Sequence, residues 1–197
     1  MDHPQYETKQ SRDLKIKSHI FEVALTIMKE VGYDNLTVRK ICEVAEISTG
    51  KFYSLFKSKE DLLCFYYTKT LESFDDIIKE NCTDMDIEEQ LITFYINLCN
   101  SSAGLGLDFC RNFFNPKNEE LNNTIFHNKV IETTNSYLDN AIKNGFVISN
   151  GRTPYEVSND LCVITKGVFF DWSSTEGRYD ISKFIDELLR RCLKGIL

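Results

Sequence analysis

The chain has 197 residues, a formal net charge of -7 and 42% apolar residues, a composition that excludes a disordered segment and allows one large domain, or a small domain joined to a medium one. No apolar run approaches the roughly 20 residues that a membrane-spanning helix needs, and the polar opening MDHPQYETKQSRDLKIK lacks the apolar core of a secretory signal, so the expected location is the cytoplasm. Only nine glycines and three prolines interrupt the chain, which favours long helices over many short strands and predicts an all-α fold of about nine helices.

The first element is a helix over Ser11–Val31. Leu14, Ile16, Ile20, Val23, Ala24, Ile27, Met28 and Val31 recur at spacings of three and four and form one apolar stripe. Gly32 stops it and Tyr33-Asp34-Asn35 is a short loop. Thr37 caps a second, short helix over Thr37–Glu43, with Val38, Ile41 and Cys42 inward and Arg39 and Lys40 outward. After the turn Ala45-Glu46-Ile47, Ser48 or Thr49 caps a third helix that ends near Leu55. Two short helices with a three-residue connection carry the helix-turn-helix signature, with small Ala45 where they cross and Ile47 beneath the turn.

The stretch IFEVALTIMKEVGYDNLTVRKICEVAEISTGKFYSLFKSKEDLL resembles the DNA-binding domain of the tetracycline-repressor (TetR/AcrR) family. The matching positions are Ala24, Gly32-Tyr33, Thr37-Val38, Ile41, Ala45, Ile47-Ser48, Gly50, Phe52-Tyr53, Phe56, Lys59-Glu60 and Leu62, all in one register. The resemblance implies double-stranded DNA as partner and a third helix that enters the major groove. Thr49 and Lys51 are then the base-edge readers. Lys51 stands where the family more often carries a small hydroxyl residue, and it reaches either guanine acceptors or a phosphate. Tyr53, Thr37 and Lys59 are placed for phosphates, Ser48 begins the reading helix, and Arg39 and Lys40 add further phosphate contacts. Each residue also has a plain structural reading: Thr37, Ser48 and Thr49 as helix caps, Tyr53 as a half-buried aromatic, Lys51 and Lys59 as solvated charges. Together, in this register, the DNA-contact reading is the stronger. Residues 1–62 hold ten basic and ten acidic side chains and sum to zero, so the whole charge deficit falls after them. Affinity then depends on where the lysines point and on having two copies.

Further along, helices are predicted over Ser58–Asn81, Ile87–Asn100, Leu107–Phe114, Glu119–Asn144, Tyr155–Ser173 and Ile181–Ile196, with NSSAGLG as a connector and Val147–Arg152 as a loop. The domain division is set at 1–57, a helix-turn-helix domain, and 58–197, a helical domain for effector binding and dimerisation. The last two helices are unusually apolar, and in proteins resembling this one that pair meets its copy as a four-helix bundle. Leu161, Val168, Phe169, Phe184 and Leu188 are therefore the expected homodimer contacts. The resemblance also implies a cavity for a small, mostly apolar effector. The aromatic-rich helices nominate Tyr66, Tyr95, Phe109, Phe113, Phe126, His127 and Trp172 as its lining, with Asp108, Arg111 and Asn112 as polar anchors beside His127. For any one of these aromatics, filling the core is the stronger reading.

Seven cysteines are widely spaced, without a C-x-x-C pair, and read as reduced apolar side chains; Cys99 with Cys110 is the pair a redox sensor would use. Three histidines are scattered, and no metal cluster, nucleophile elbow or phosphate loop occurs, so neither enzyme activity nor a cofactor is expected. The combined expectation is a ligand-responsive transcriptional regulator that acts as a repressor on a palindromic site as a dimer. The alternative is a helical ligand-binding or interaction protein whose helix-turn-helix no longer reads DNA.

Overall fold

A computed structural model describes residues 8–81, 85–113 and 127–197, the side chains of Tyr66 and of residues 75–81 excepted. Its ordered elements are helices; no strand occurs among the described residues. They form two compact units, residues 1–66 and 67–197.

In the first unit, α1 (Lys9–Val31) begins at Thr8, whose hydroxyl accepts from the Ser11 N–H at 3.2 Å, and ends at Gly32 with φ of 79°. Its buried residues are Ile20, Phe21, Ala24, Ile27 and Met28. The predicted stripe is thus too long at its start, because Leu14 lies 42% exposed, lining an open groove with Ser54 and Leu55. α2 (Val38–Val44) and α3 (Thr49–Leu55) follow, capped by Thr37 and Ser48, which accept from the Lys40 and Lys51 N–H groups at 3.2 and 3.1 Å. Between them Glu46 takes a left-handed conformation, φ 53°, and the Ile47 N–H bonds the Cys42 carbonyl at 3.0 Å, which closes the turn as a helix C-cap usually does with glycine. Ile41, Phe52 and Phe56 fill the centre, with the Phe52 and Phe56 rings 5.6 Å apart.

α4 (Lys59–Asn81) starts in this unit, and the division falls inside it, after Tyr66, rather than ahead of it at residue 57. Its first turns explain why. Phe65 packs edge-on against Phe56 at 5.8 Å, and Glu60 accepts from the Tyr33 hydroxyl at 3.3 Å.

The second unit contains α5 (Ile87–Ala103), α6 (Leu107–Phe113), α7 (Asn128–Lys143), α8 (Pro154–Ser174) and α9 (Ile181–Ile196). α5 lies against α9 and α7, and α8 against α7, α6 and α9. The predicted helix over Glu119–Asn144 is described only from residue 127, its earlier part lying outside the described residues. The loop at Val147–Arg152 holds one 3-10 turn, Ser149–Gly151. α8 has a capping box, Thr153 and Glu156 satisfying each other's backbone N–H groups, with Pro154 in its first turn. No helix among the described residues is long and apolar enough to cross a membrane.

The α8–α9 turn depends on one glycine. Gly177 has φ of 65°, and a Cβ there would stand 3.3 Å from the Trp172 ring and 3.4 Å from Leu107. Trp172 is itself fixed, its indole N–H donating to the Tyr179 carbonyl at 3.0 Å. Gly177→Ala should therefore destabilise by about 1–2 kcal/mol for the left-handed backbone alone, which lowers the melting temperature by several degrees, roughly 2–4 °C per kcal/mol in a chain of this size. A thermal melt unchanged by the substitution would contradict this account of the turn.

Candidate functional site

The helix-turn-helix presents its polar side chains from the starts of α2 and α3 and from Tyr53 further along α3. Thr37, Arg39, Ser48, Thr49 and Tyr53 are exposed, whereas Ile41, Ala45 and Phe52 face inward. Thr37 and Ser48 do cap their helices, so the structural reading of both is correct as far as it goes. A capping hydroxyl accepts through oxygen and keeps its proton to donate, so capping leaves each able to meet a phosphate. Tyr53 is no core residue: it is 58% exposed, its ring packed edge-on against Phe52 at 5.5 Å while the remainder of the side chain is free to reach outward.

Lys51, Arg39 and Lys59 each have a partner within the chain. Lys51 Nζ donates to Asp13 Oδ1 at 2.9 Å, which ties the reading helix to α1, and the same bond holds the Asp13 carboxyl below its ordinary range. Arg39 pairs with Glu43 at 3.1 Å along α2. Lys59 lies 4.2 Å above the Tyr33 ring and donates to the Leu36 carbonyl at 3.3 Å. The expected solvated or phosphate-reaching Lys59 is thus a packed side chain, held one residue short of Thr37. Burial, then Glu60, pushes the Tyr33 phenol well above its ordinary value, so Tyr33 stays a neutral donor beneath that lysine. A groove of about 510 Å³, lined by Lys9, Asp13, Leu14, Lys17 and Leu55, opens beside the Lys51–Asp13 pair. Sequence reasoning missed that pair; its partners stand 38 residues apart. The Arg39–Glu43 pair was visible as an i,i+4 spacing.

In the second unit the nominated ligand residues separate into groups. Phe109 and Phe113 stack with Tyr67, Phe113 at 4.3 Å, and the Tyr67 hydroxyl bonds Ser102 at 2.9 Å; they fill the core. Trp172 serves the α8–α9 turn. Tyr95 is fully buried beside Phe94, 5.2 Å away, and His127 sits with its Nδ1 3.5 Å from Cys162 Sγ. Phe126 and the Tyr66 side chain lie outside the described residues. Asp108, Arg111 and Asn112, nominated as polar anchors, bond groups of the chain itself. Arg111 donates to the Ser173 carbonyl at 3.0 Å and pairs with Glu176, clamping α6 to the end of α8, and Asn112 bonds the Asp108 carbonyl. An open cleft of about 730 Å³ runs between the start of α5 and the ends of α7 and α9, past Ile87, Ala141, Phe146 and Leu193, and none of the nominated residues lines it.

The expected dimer contacts also divide. Leu161, Val168 and Phe169 are buried within the chain's own core, out of reach of a second copy. Phe184 and Leu188 face outward at least in part, and the outer face of α8 is carried instead by Val163, 55% exposed, and Phe170, 68% exposed. Cys99 and Cys110 are buried too, and burial pushes both thiols up, Cys110 to about 12, so neither is a thiolate that a redox sensor needs.

Residues 20–64 match the family of bacterial regulatory proteins named for tetR. The chain carries a tetR-family domain. The uncharacterized HTH-type transcriptional regulator YuxN of Bacillus subtilis is 34% identical over 84 residues, an alignment that spans 40% of this chain and only 29% of that protein. The fatty acid metabolism regulator protein of the same organism is 24% identical over 190 residues, 90% of this chain and 93% of that protein. Among solved structures, Thermus thermophilus FadR, a TetR-family repressor in complex with lauroyl-CoA, superposes with a TM-score of 0.71 at 18% identity, covering 92% of this chain and 95% of that one. The tetR-family domain is thus followed by a helical body of the same fold as those regulators.

Proposed function

We propose that the protein is a ligand-responsive transcriptional regulator that binds a palindromic operator as a homodimer, represses there, and is released by a small, mostly apolar effector carrying an acyl chain. The observation that carries the DNA half is the exposure of Thr37, Ser48 and Thr49 at the starts of two helices, and of Tyr53 further along the second, while Ile41 and Phe52 of the same helices are buried. Lys51 supplies the cation. Two copies joined through the outer faces of α8 and α9, with Val163, Phe170, Phe184 and Leu188 between them, present their reading helices about one DNA turn apart, roughly 34–36 Å. The aromatic core of the second unit and the fold shared with acyl-binding regulators support the effector class.

Effector binding need supply only a modest coupling, about 1–3 kcal/mol, to change operator occupancy five- to 150-fold. α4 belongs to both units along the chain, and we assign it the transmission.

Salt-controlled capture of genomic DNA by the purified protein, with and without lauroyl-coenzyme A, tests this reading. A short palindrome, enriched without the thioester and depleted with it, is the expected result. Capture of no sequence above background at low and moderate salt would instead favour a helical ligand-binding protein with a degenerate reader, the reading to which the ion-paired Lys51 and Arg39 lend some weight.

A further inference from the structure

The reading helix α3 has two flanks. Thr49 and Tyr53, one turn apart, share the first; Lys51, Ser54 and Leu55 share the second. Ser54 and Leu55 on the second flank form one wall of the groove of about 510 Å³. α1 forms the facing wall through Lys9, Gln10, Asp13, Leu14 and Lys17. Lys9, Asp13 and Lys17 follow at intervals of one turn, so a single face of α1 carries all three.

The charge of this groove depends on its one acid. Asp13 accepts from Lys51 Nζ at 2.9 Å, so its charge is matched from across the groove. Lys9 and Lys17 then stand as surplus cations on the same wall. Lys9 is exposed, and Lys17 is held with its Nζ 5.1 Å from the Phe56 ring and 5.6 Å from the Phe65 ring. Those rings fix the lysine in place and leave its positive charge intact. The Ser54 hydroxyl gives its proton to the Lys51 carbonyl at 2.7 Å, which leaves donation chiefly to the lysines. The surplus is local: in a chain of net charge -7, residues 9–17 carry Lys9, Arg12, Lys15 and Lys17 against Asp13 alone.

A duplex seated on α3 supplies the matching anion. The major groove is about 12 Å wide and a helix with its side chains about 10–12 Å across, so a phosphate strand passes close beside each flank of the helix. Tyr53 faces the strand on the first flank. On the second, an open groove with leucines for the sugars and lysines for the phosphates fits the other strand. We infer that this groove receives a sugar-phosphate strand of the bound duplex, with Lys9 and Lys17 donating to its phosphates. The inference rests on the DNA-reading function proposed above and adds contacts from α1, outside the helix-turn-helix.

The test uses the full chain and a labelled duplex of mixed sequence, titrated by fluorescence anisotropy over a salt series. The double variant Lys9→Gln, Lys17→Gln should flatten the slope of log affinity against log salt by about one to two units for each copy bound, equally on every sequence. Lys9→Arg with Lys17→Arg keeps both charges and should keep the parent slope, which separates a phosphate contact from a packing role. Lys29→Gln removes a cation from the last turn of α1 and should leave the slope unchanged. An unchanged slope in the glutamine pair, a loss confined to one sequence, a flattened arginine pair or an equally flattened Lys29→Gln overturns the inference. Laurate binding that the glutamine pair loses while its slope is unchanged would assign the groove to an anionic amphiphile instead. A parent that binds no duplex at low salt discards the DNA reading as well, whereas a binding parent with an unchanged glutamine pair discards this groove alone.

Discussion

A Phe170→Glu protein is expected to sediment as a monomer and to bind operator DNA about 10²- to 10⁴-fold more weakly, the range by which linking two binding modules raises avidity. Phe170 is 68% exposed in the single chain, so the fold itself should tolerate glutamate with little change in melting temperature. In the proposed dimer the carboxylate would be stripped of water between two helices, where an unpaired charge is heavily penalised. Val163 lies seven residues earlier on the same face, and Phe184 and Leu188 continue the apolar surface on α9. Leu161→Ala makes the contrast. It removes a fully buried side chain, should cost about 2–5 kcal/mol of stability, and should leave the oligomeric state unchanged. Sedimentation velocity on both variants decides the matter: a dimer that survives Phe170→Glu places the interface elsewhere.

Lys51→Ala and Asp13→Asn should move DNA binding in opposite directions. If Lys51 reads a guanine edge, its loss removes about 1–3 kcal/mol in each half-site, or roughly 2–6 kcal/mol across a dimer, and relaxes preference at that base pair. If it meets a phosphate, the loss is uniform over sequences and the salt dependence falls by about one unit per half-site. Asp13→Asn removes the carboxylate that holds the ammonium at 2.9 Å, so Lys51 reaches DNA without giving up a partner. Affinity for non-operator DNA should then rise and its salt dependence steepen. Titrations over a salt series, on operator and scrambled duplexes, read all of this. A weaker Asp13→Asn protein with a normal melting temperature would mean that Asp13 orients Lys51 for DNA instead of restraining it.

What could be read in advance from the sequence was local. Gly32, Thr37, Ser48 and the span Ile181–Ile196 are where they were expected, since capping and helical periodicity depend on residues a turn apart. The errors arise where a second element decides. α8 is apolar on more than one side, and periodicity cannot say which side meets its own chain; Leu161, Val168 and Phe169 were therefore assigned to a partner although they face inward. Phe109 and Phe113 were nominated for a pocket, with core filling the stronger reading for each, and both pack against Tyr67 within the core. Arg111 looked like an anchor because its partners, Ser173 and Glu176, come from the far end of another helix.

The acid that accompanies each of Arg39 and Lys51 bears on how such a regulator would find its target. A genome offers about 10⁶–10⁹ competing sites, and occupancy of the right one depends on the ratio of affinities more than on affinity itself. With Arg39 and Lys51 held by Glu43 and Asp13, these two cations are less free for arbitrary duplex. Such a reading surface should let go of wrong sequences quickly and exchange its own acids for DNA only where the hydroxyls of Thr49 and Tyr53 also find partners. Fewer molecules are then parked on irrelevant DNA, so a small number of copies per cell suffices to keep one promoter covered.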